Sequence, residues 1–166
     1  MHVGILAPGQ FRAAIPRLGE ILADAVNSGA GVSFMLPFSA TEGAVYWSGV
    51  DPEKKQVFAA VENGTVAGVV ILERAWAPNQ PHRADVSKML VHRNFRRRGI
   101  GTLLLKAVED EARRMGLTLL TFDTEAKSPA EAFYRGLGFT CAGYIPGYAL
   151  SPAGKLVDTA IFYKQL

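Results

Sequence analysis

The sequence predicts a mixed α/β fold: one central sheet, partly antiparallel, with flanking helices. Three observations predict it. Strand-like apolar runs and amphipathic helical stretches follow one another in the order α, α, β, β, β, α, β, α, β, β. Asn63-Gly64 separates two of the runs and is a strong hairpin signal. From Val86 to Thr102 the chain reads as strand, glycine-rich turn and helix start.

The first helix spans Phe11 to Val26, with Ile15, Leu18, Leu22, Ala25 and Val26 at helical spacing. Pro16 is read as belonging to its first turns, where proline is tolerated. Asn27-Ser28-Gly29 ends it. The stretch Gly31 to Phe38 is apolar but broken by Pro37. A second short helix starts at Thr41, with Glu42 in its first turn, and carries Tyr46 and Trp47. Gln56–Val61 and Thr65–Leu72 are strands, Ala77–Pro81 is a loop, and Arg83–Val91 is the next strand.

The helix that follows Gly101 has an apolar stripe of Leu103, Leu104, Ala107, Val108, Ala112 and Met115. Glu109–Arg113 and Asp110–Arg114 are acid-before-base pairs one turn apart, and Gly116 is the stop. Leu117 to Phe122 is a buried strand ending at Asp123. Ser128-Pro129-Ala130-Glu131 is a capping box for a helix running to Leu137. Phe139–Tyr144 and Val157–Lys164 close the chain as strands, with Pro146-Gly147 and Pro152 to Gly154 in the loop between them.

Composition is that of a globular protein, 49% hydrophobic and 20% charged, and the 166 residues are read as a single domain, 1–166. No apolar run approaches membrane-spanning length. The N-terminus lacks a cationic, signal-like segment, and a single cysteine, Cys141, leaves no internal disulfide. The expectation is a cytoplasmic protein. Net charge is +3, with Arg93, Arg96, Arg97 and Arg98 clustered. No aromatic-interleaved basic stripe accompanies them, so nucleic acid is not the expected ligand.

Arg96-Arg97-Arg98-Gly99-Ile100-Gly101-Thr102 is the most informative segment. Free N–H groups at a helix start, glycines that let a ligand approach closely and adjacent arginines together make an anion site suited to phosphate. The Walker pattern is absent, and Leu104 stands where a dinucleotide fingerprint needs its third glycine. There is no Gly-x-Ser-x-Gly elbow. His2, His82 and His92 have no metal-ligand spacing, so no metal is expected. Cys141 reads as a small core residue.

Arg96-x-x-Gly99-x-Gly101 after a strand, followed by Ala130-x-x-Phe133-Tyr134-Arg-x-x-Gly138-Phe139, resembles the Gcn5-related N-acetyltransferase (GNAT) family in order and spacing. The resemblance implies the acyl-CoA N-acyltransferase fold and acetyl-CoA as co-substrate. It implies coenzyme contacts at Met89, Leu90 and Val91, by addition of the pantetheine arm to the strand edge, and at Arg96, Arg97, Arg98, Gly99, Ile100, Gly101 and Thr102. Lys127, where many relatives have asparagine, is a further candidate contact.

Strand alternation places Asp85, Ser87 and Met89 on one face. Asp85 aligns with the position of the family's glutamate base, and Asp123 ends the neighbouring strand, where it could share a bridging water. Two adjacent, partly buried carboxylates would raise one pKa. Tyr134 matches the family's proton donor to the departing sulfur. The family builds its acceptor pocket from the region of Phe34, Phe38, Tyr46 and Trp47. For each of these four, core packing is an equal expectation.

A narrower likeness, carried by Arg83–Val91, Asp123–Ala126, Pro146–Tyr148 and Thr159–Lys164, is to members that acetylate amino-acid-like toxins. The expected function is direct acetyl transfer to a small-molecule primary amine, an amino-acid-like metabolite, antibiotic or toxin, by a monomer or homodimer. The alternatives are a protein N-terminus or lysine as acceptor, and a non-catalytic acyl-CoA sensor.

Overall fold

A computed structural model describes residues 1–166. In chain order the elements are β1 (His2–Ile5), α1 (Pro8–Asn27), α2 (Ala40–Ser48), β2 (Lys55–Glu62), β3 (Thr65–Arg74), β4 (Arg83–Val91), α3 (Ile100–Arg114), β5 (Leu119–Glu125), α4 (Pro129–Gly136), β6 (Thr140–Leu150) and β7 (Leu156–Gln165). A 3-10 turn, Arg93–Phe95, follows β4. The seven strands form one sheet in the order β1-β2-β3-β4-β5-β7-β6. Every pairing is antiparallel except β4 with β5.

The parallel pair is short. Only Arg83–Asp85 meet Leu119–Thr121, after which the two strands part. The cause lies within β4. Ser87 pairs with Ile71 and Leu90 with Val69, so two residues of β4, Lys88 and Met89, occupy the space opposite Val70. Lys88 takes a left-handed backbone, φ 51°. Such a bulge bends the strand that carries it and increases its twist.

The extra residue also exchanges the faces of β4. Ala84 and Val86 pack into the core on the α3 and α4 side, and Met89 and Val91 join that same core. Leu90 packs into the core on the α1 and α2 side. Simple alternation therefore holds only up to Ser87. Met89 does not share a face with Asp85, contrary to the expectation from period two.

Each core has its own anchor. On the α3 side, Leu104, Leu105, Val108 and Ala112 lie against Leu120, Phe139 and Phe162. On the other side, Trp47 is fully buried and its indole N–H donates to the Leu18 carbonyl at 2.9 Å. Burying a side chain of this kind contributes about 1.5–3 kcal/mol, and the bond satisfies its polar atom. The same two helices meet at Gly19 and Gly43, where a Cβ on either would come within 2.5 Å of facing backbone oxygen.

Several expected boundaries shift. Strand β1 lies outside the expected order; it is short and gains its identity by pairing His2–Ile5 with Phe58–Val61. Helix α1 begins at Pro8, which leaves Pro16 inside it. Pro16 and Arg12 are both exposed, so the carbonyl that loses its donor can turn to water. Helix α2 starts one residue early because Ser39 is the cap, bonded to the Glu42 N–H at 3.2 Å while Glu42 bonds back to the Ser39 N–H at 2.8 Å. Leu103 is exposed, and the buried stripe of α3 is Ile100, Leu104, Leu105, Val108 and Ala112. Pro146-Gly147 lies in β6, at a register irregularity between Ile145 and Ala149.

Candidate active site

The turn from β4 into α3 is held from below. Gly99 caps the helix with φ 75°, a left-handed backbone that glycine adopts without strain. The first intrahelical bond runs from the Leu103 N–H to the Gly99 carbonyl at 3.1 Å. The N–H groups of Ile100, Gly101 and Thr102 therefore have no acceptor within the helix. Gly101 is required for a different reason. A Cβ there would sit 3.0 Å from the Phe133 ring and 3.4 Å from the Met89 methyl, so its absence lets α4 pack against the start of α3.

The clustered arginines separate into different roles. Arg93 binds Asp24 through both its side chain and its backbone N–H. Arg96 Nη2 reaches the same carboxylate at 3.0 Å, while its Nε donates to the Val91 carbonyl at 2.9 Å. Arg98 pairs with Glu62 at 2.9 Å and lies over the Phe95 ring. Arg97 alone among them has no side-chain partner; it is exposed, with φ 63°.

Asp24 is buried on α1, 69 positions before Arg93, and sequence reading misses it. Burial pushes its carboxyl pKa up. The side-chain and backbone bonds of Arg93 and the charge of Arg96 outweigh this, and the net shift is downward. Asp24 thus locks the turn between β4 and α3 onto α1.

Beyond the turn, the edge of β4 that faces β5 is unpaired from Val86 onward. Met89 and Val91 face the α3 side of this opening, and Leu90 faces away. Tyr134 stands on α4 within an aromatic group, its ring 4.3 Å from Phe122 and 6.0 Å from Phe139 and Phe162. Its hydroxyl makes no bond within the protein. Burial pushes the phenol up to about 12, so it holds its proton at neutral pH. Lys127, at the foot of α4, has an exposed side chain, and its N–H donates to Glu131 at 2.6 Å. This bond replaces the capping-box bond expected from Glu131 to its cap residue.

The two expected carboxylates are differently held. Asp85 sits in a cross-strand row, Lys55–Glu73–Asp85–Thr121. Its Oδ1 accepts from Arg83 and, at 2.6 Å, from Thr121, while Lys55 neutralises Glu73 at 2.9 Å. Asp123 lies two residues further along β5, where β4 has left, and is exposed. Its one protein bond comes from Thr159 Oγ1 at 2.9 Å. No direct bond joins the two acids.

The aromatic quartet also divides. Phe38 and Trp47 are buried core residues, which is the physical reason they present no surface to an acceptor. Phe34 and Tyr46 are half-buried, with rings 5.3 Å apart. Lys88 Nζ lies 5.9 Å from the Phe34 ring centre and 5.4 Å from that of Tyr46. Burial, then Lys55, push the Lys88 ammonium pKa down, and Asp123 opposes them. Lys88 is absent from the sequence-based candidates. Its only signal is a lysine interrupting the apolar end of a strand.

A bulged strand leaving its parallel neighbour beside a helix start that has no side-chain cap is the architecture of the acyl-CoA N-acyltransferase fold. Ribosomal-protein-alanine N-acetyltransferase from Brucella melitensis has this fold, with a TM-score of 0.82 at 22% identity over 100% of both chains. The Salmonella typhimurium protein yncA, solved with its cofactor acetyl-CoA, superposes with a TM-score of 0.78 at 21% identity over 100% of this chain and 94% of that one. Probable N-acetyltransferase 14 of Xenopus tropicalis is 29% identical over 93 residues, 55% of this chain. The match spans only 43% of the length of that relative. Residues 30–139 match the acetyltransferase (GNAT) family, and the chain belongs to it. No helix is long and apolar enough to cross a membrane.

Proposed function

We propose that this protein transfers an acetyl group from acetyl-CoA directly to the primary amine of a small molecule. The observation that carries the proposal is the parting of β4 from β5 after Asp85 and Thr121, beside a helix start whose first N–H groups have no acceptor within the helix.

The residues fit the coenzyme. The N–H groups at Arg98 to Thr102 receive the pyrophosphate, and unpaired Arg97 adds a charge-assisted contact. Arg96 and Arg98 border the same turn and hold its shape through Asp24 and Glu62. Lys127 supplies a further cation at the foot of α4. The open edge at Met89, Leu90 and Val91 takes the amide-bearing arm as an added strand. When bound, the coenzyme supplies an activated thioester carbonyl.

The chain supplies the rest. A β4 backbone N–H polarises the carbonyl oxygen. Asp123 accepts the proton of the attacking amine through a water, because its Oδ1 has no protein partner. As the nitrogen–carbon bond forms and the carbon–sulfur bond breaks, Tyr134 gives its proton to the sulfur. Asp85, engaged by Arg83 and Thr121, fixes the closed end of the opening and lines the same face as Asp123. Phe34 and Tyr46 wall the acceptor side. A likeness at Arg83–Val91 and Asp123–Ala126 to tabtoxin-resistance acetyltransferase supports an amino-acid-like acceptor, antibiotics and toxins included.

Calorimetry with acetyl-CoA, followed by turnover on amino acids, polyamines and amino-acid-like antibiotics, tests the reading. Absence of acetyl-CoA binding at high micromolar concentration would sink it.

A further inference from the structure

Lys88 has no role in the chemistry above, yet the fold places it with some cost. Its backbone is left-handed at the very bulge that opens the sheet, a conformation a lysine adopts rarely. Its ammonium lies against the edge-to-face pair of Phe34 and Tyr46, 5.9 and 5.4 Å from the two ring centres, and the two rings come from different parts of the chain. The other cations of this face are neutralised: Lys55 by Glu73 at 2.9 Å and Arg83 by Asp85. Lys88 makes no ion pair and no hydrogen bond to any protein group. Asp123 is the carboxylate whose charge acts on it, and it is held by Thr159 instead.

We infer that Lys88 is the anchor for an anionic group, a carboxylate, carried by the acceptor amine. The inference rests on the acetyl-transfer reading and narrows its substrate class to zwitterionic, amino-acid-like amines. The acceptor's amino group lies toward Asp123 and its carboxylate toward Lys88, so the two charges of the face complement the two charges of the ligand. The aromatic pair shields one side of the ion pair from water and strengthens it. A partly buried, unpaired ammonium is costly, and a carboxylate supplies the missing partner. Burial and Lys55 hold the Lys88 pKa down, and an arriving anion would raise it. Polyamines, by contrast, would meet Lys88 as a like charge.

The test compares matched acceptors, each amino acid beside the amine that lacks its carboxylate. Wild type is expected to favour the amino acids in kcat/KM. In Lys88→Met that preference falls at least about tenfold, through KM more than kcat, and Lys88→Arg restores part of it. An unchanged preference in Lys88→Met overturns the inference while leaving acetyl transfer intact, as does a wild type that favours polyamines. Should no acceptor be acetylated, the function reading fails by itself. Calorimetric titration of the amino acids into the coenzyme-loaded protein then decides the anchor, since equal binding by wild type and Lys88→Met, or none by either, rejects it.

Discussion

The turn proposed to hold the donor and the face proposed to take the acceptor flank the same open edge of β4 but are assembled by opposite means. The donor turn is nearly contiguous, Arg96 to Thr102, and the function proposed for it resides mostly in backbone N–H groups oriented by one left-handed glycine. The acceptor face takes Phe34 from a loop, Tyr46 from α2, Lys88 from the β4 bulge and Asp123 from β5. Its function resides in side chains. A backbone site tolerates change in the residues around it as long as the turn survives. A side-chain site is re-specified by single substitutions. One fold can thus keep its donor and change its acceptor.

The largest effect that sharpens this contrast is expected at the chemistry between the two regions. Tyr134→Phe removes the proton donor and should lower kcat on the order of 10²–10³-fold. Acetyl-CoA affinity, measured by calorimetry, should stay within a few-fold. A comparable loss of affinity would mean that Tyr134 belongs to the donor side. Asp123→Asn should lower kcat/KM on the order of 10²-fold, with the loss diminishing as pH rises and the amine deprotonates unaided. Asp85→Asn serves as its comparison: the larger loss of the two, read from steady-state rates, identifies the principal base.

Next comes the backbone of the donor turn. Gly99→Val forces a β-branched residue to φ 75°, which costs at least about 1–2 kcal/mol. Acetyl-CoA affinity should fall by about tenfold or more, whereas Arg98→Ala, which removes the Glu62 pair and the Phe95 contact but leaves the turn backbone unstrained, should lower it far less. Equal effects would break the view that backbone outweighs side chains there.

Asp24→Asn separates support from function. Losing the carboxylate shared by Arg93 and Arg96 should destabilise the fold by about 1–3 kcal/mol in urea titrations. Because its pKa is lowered on folding, Asp24 contributes stability above the unfolded carboxyl value. That contribution is lost as pH falls through the folded value. The gap between wild type and Asp24→Asn should therefore close in acid.

The smallest effect concerns the foot of α4. Bonds from Tyr144, the Lys127 backbone and Arg135 lower the Glu131 pKa from 4.5 to about 2. Its stabilisation is present above pH 4.5 and lost as pH falls through 2. Glu131→Gln should flatten the acid limb of the stability curve over that window. A parallel curve would show that the cap does not titrate with the fold.

What was legible in the sequence follows the same division. The bounds of β4, Arg83–Val91, agree with the expected strand, because Ala84 and Val86 alternate with polar residues at its start and Met89-Leu90-Val91 close it with an apolar run. The bulge inside it is invisible, since nothing local to Lys88 demands a left-handed backbone; the pairing with β3 imposes it. Phe34 cannot be told from Phe38, nor Tyr46 from Trp47, by residue type. Burial by α1 and the bond to Leu18 decide that Trp47 is core. Asp24 reads as one more helical residue until Arg93 arrives from the turn that follows β4.

By itself the sequence determined the kind of donor this protein is built for, because glycines, a helix start and a tyrosine helix are local features whose geometry follows from neighbours in the chain. Only the tertiary structure decided which arginine is free, which aromatic residues stay partly uncovered, and that Lys88 carries no ion pair. Those are properties of which surfaces remain uncovered and which charges remain unmatched. They exist only once residues distant in sequence have packed against one another.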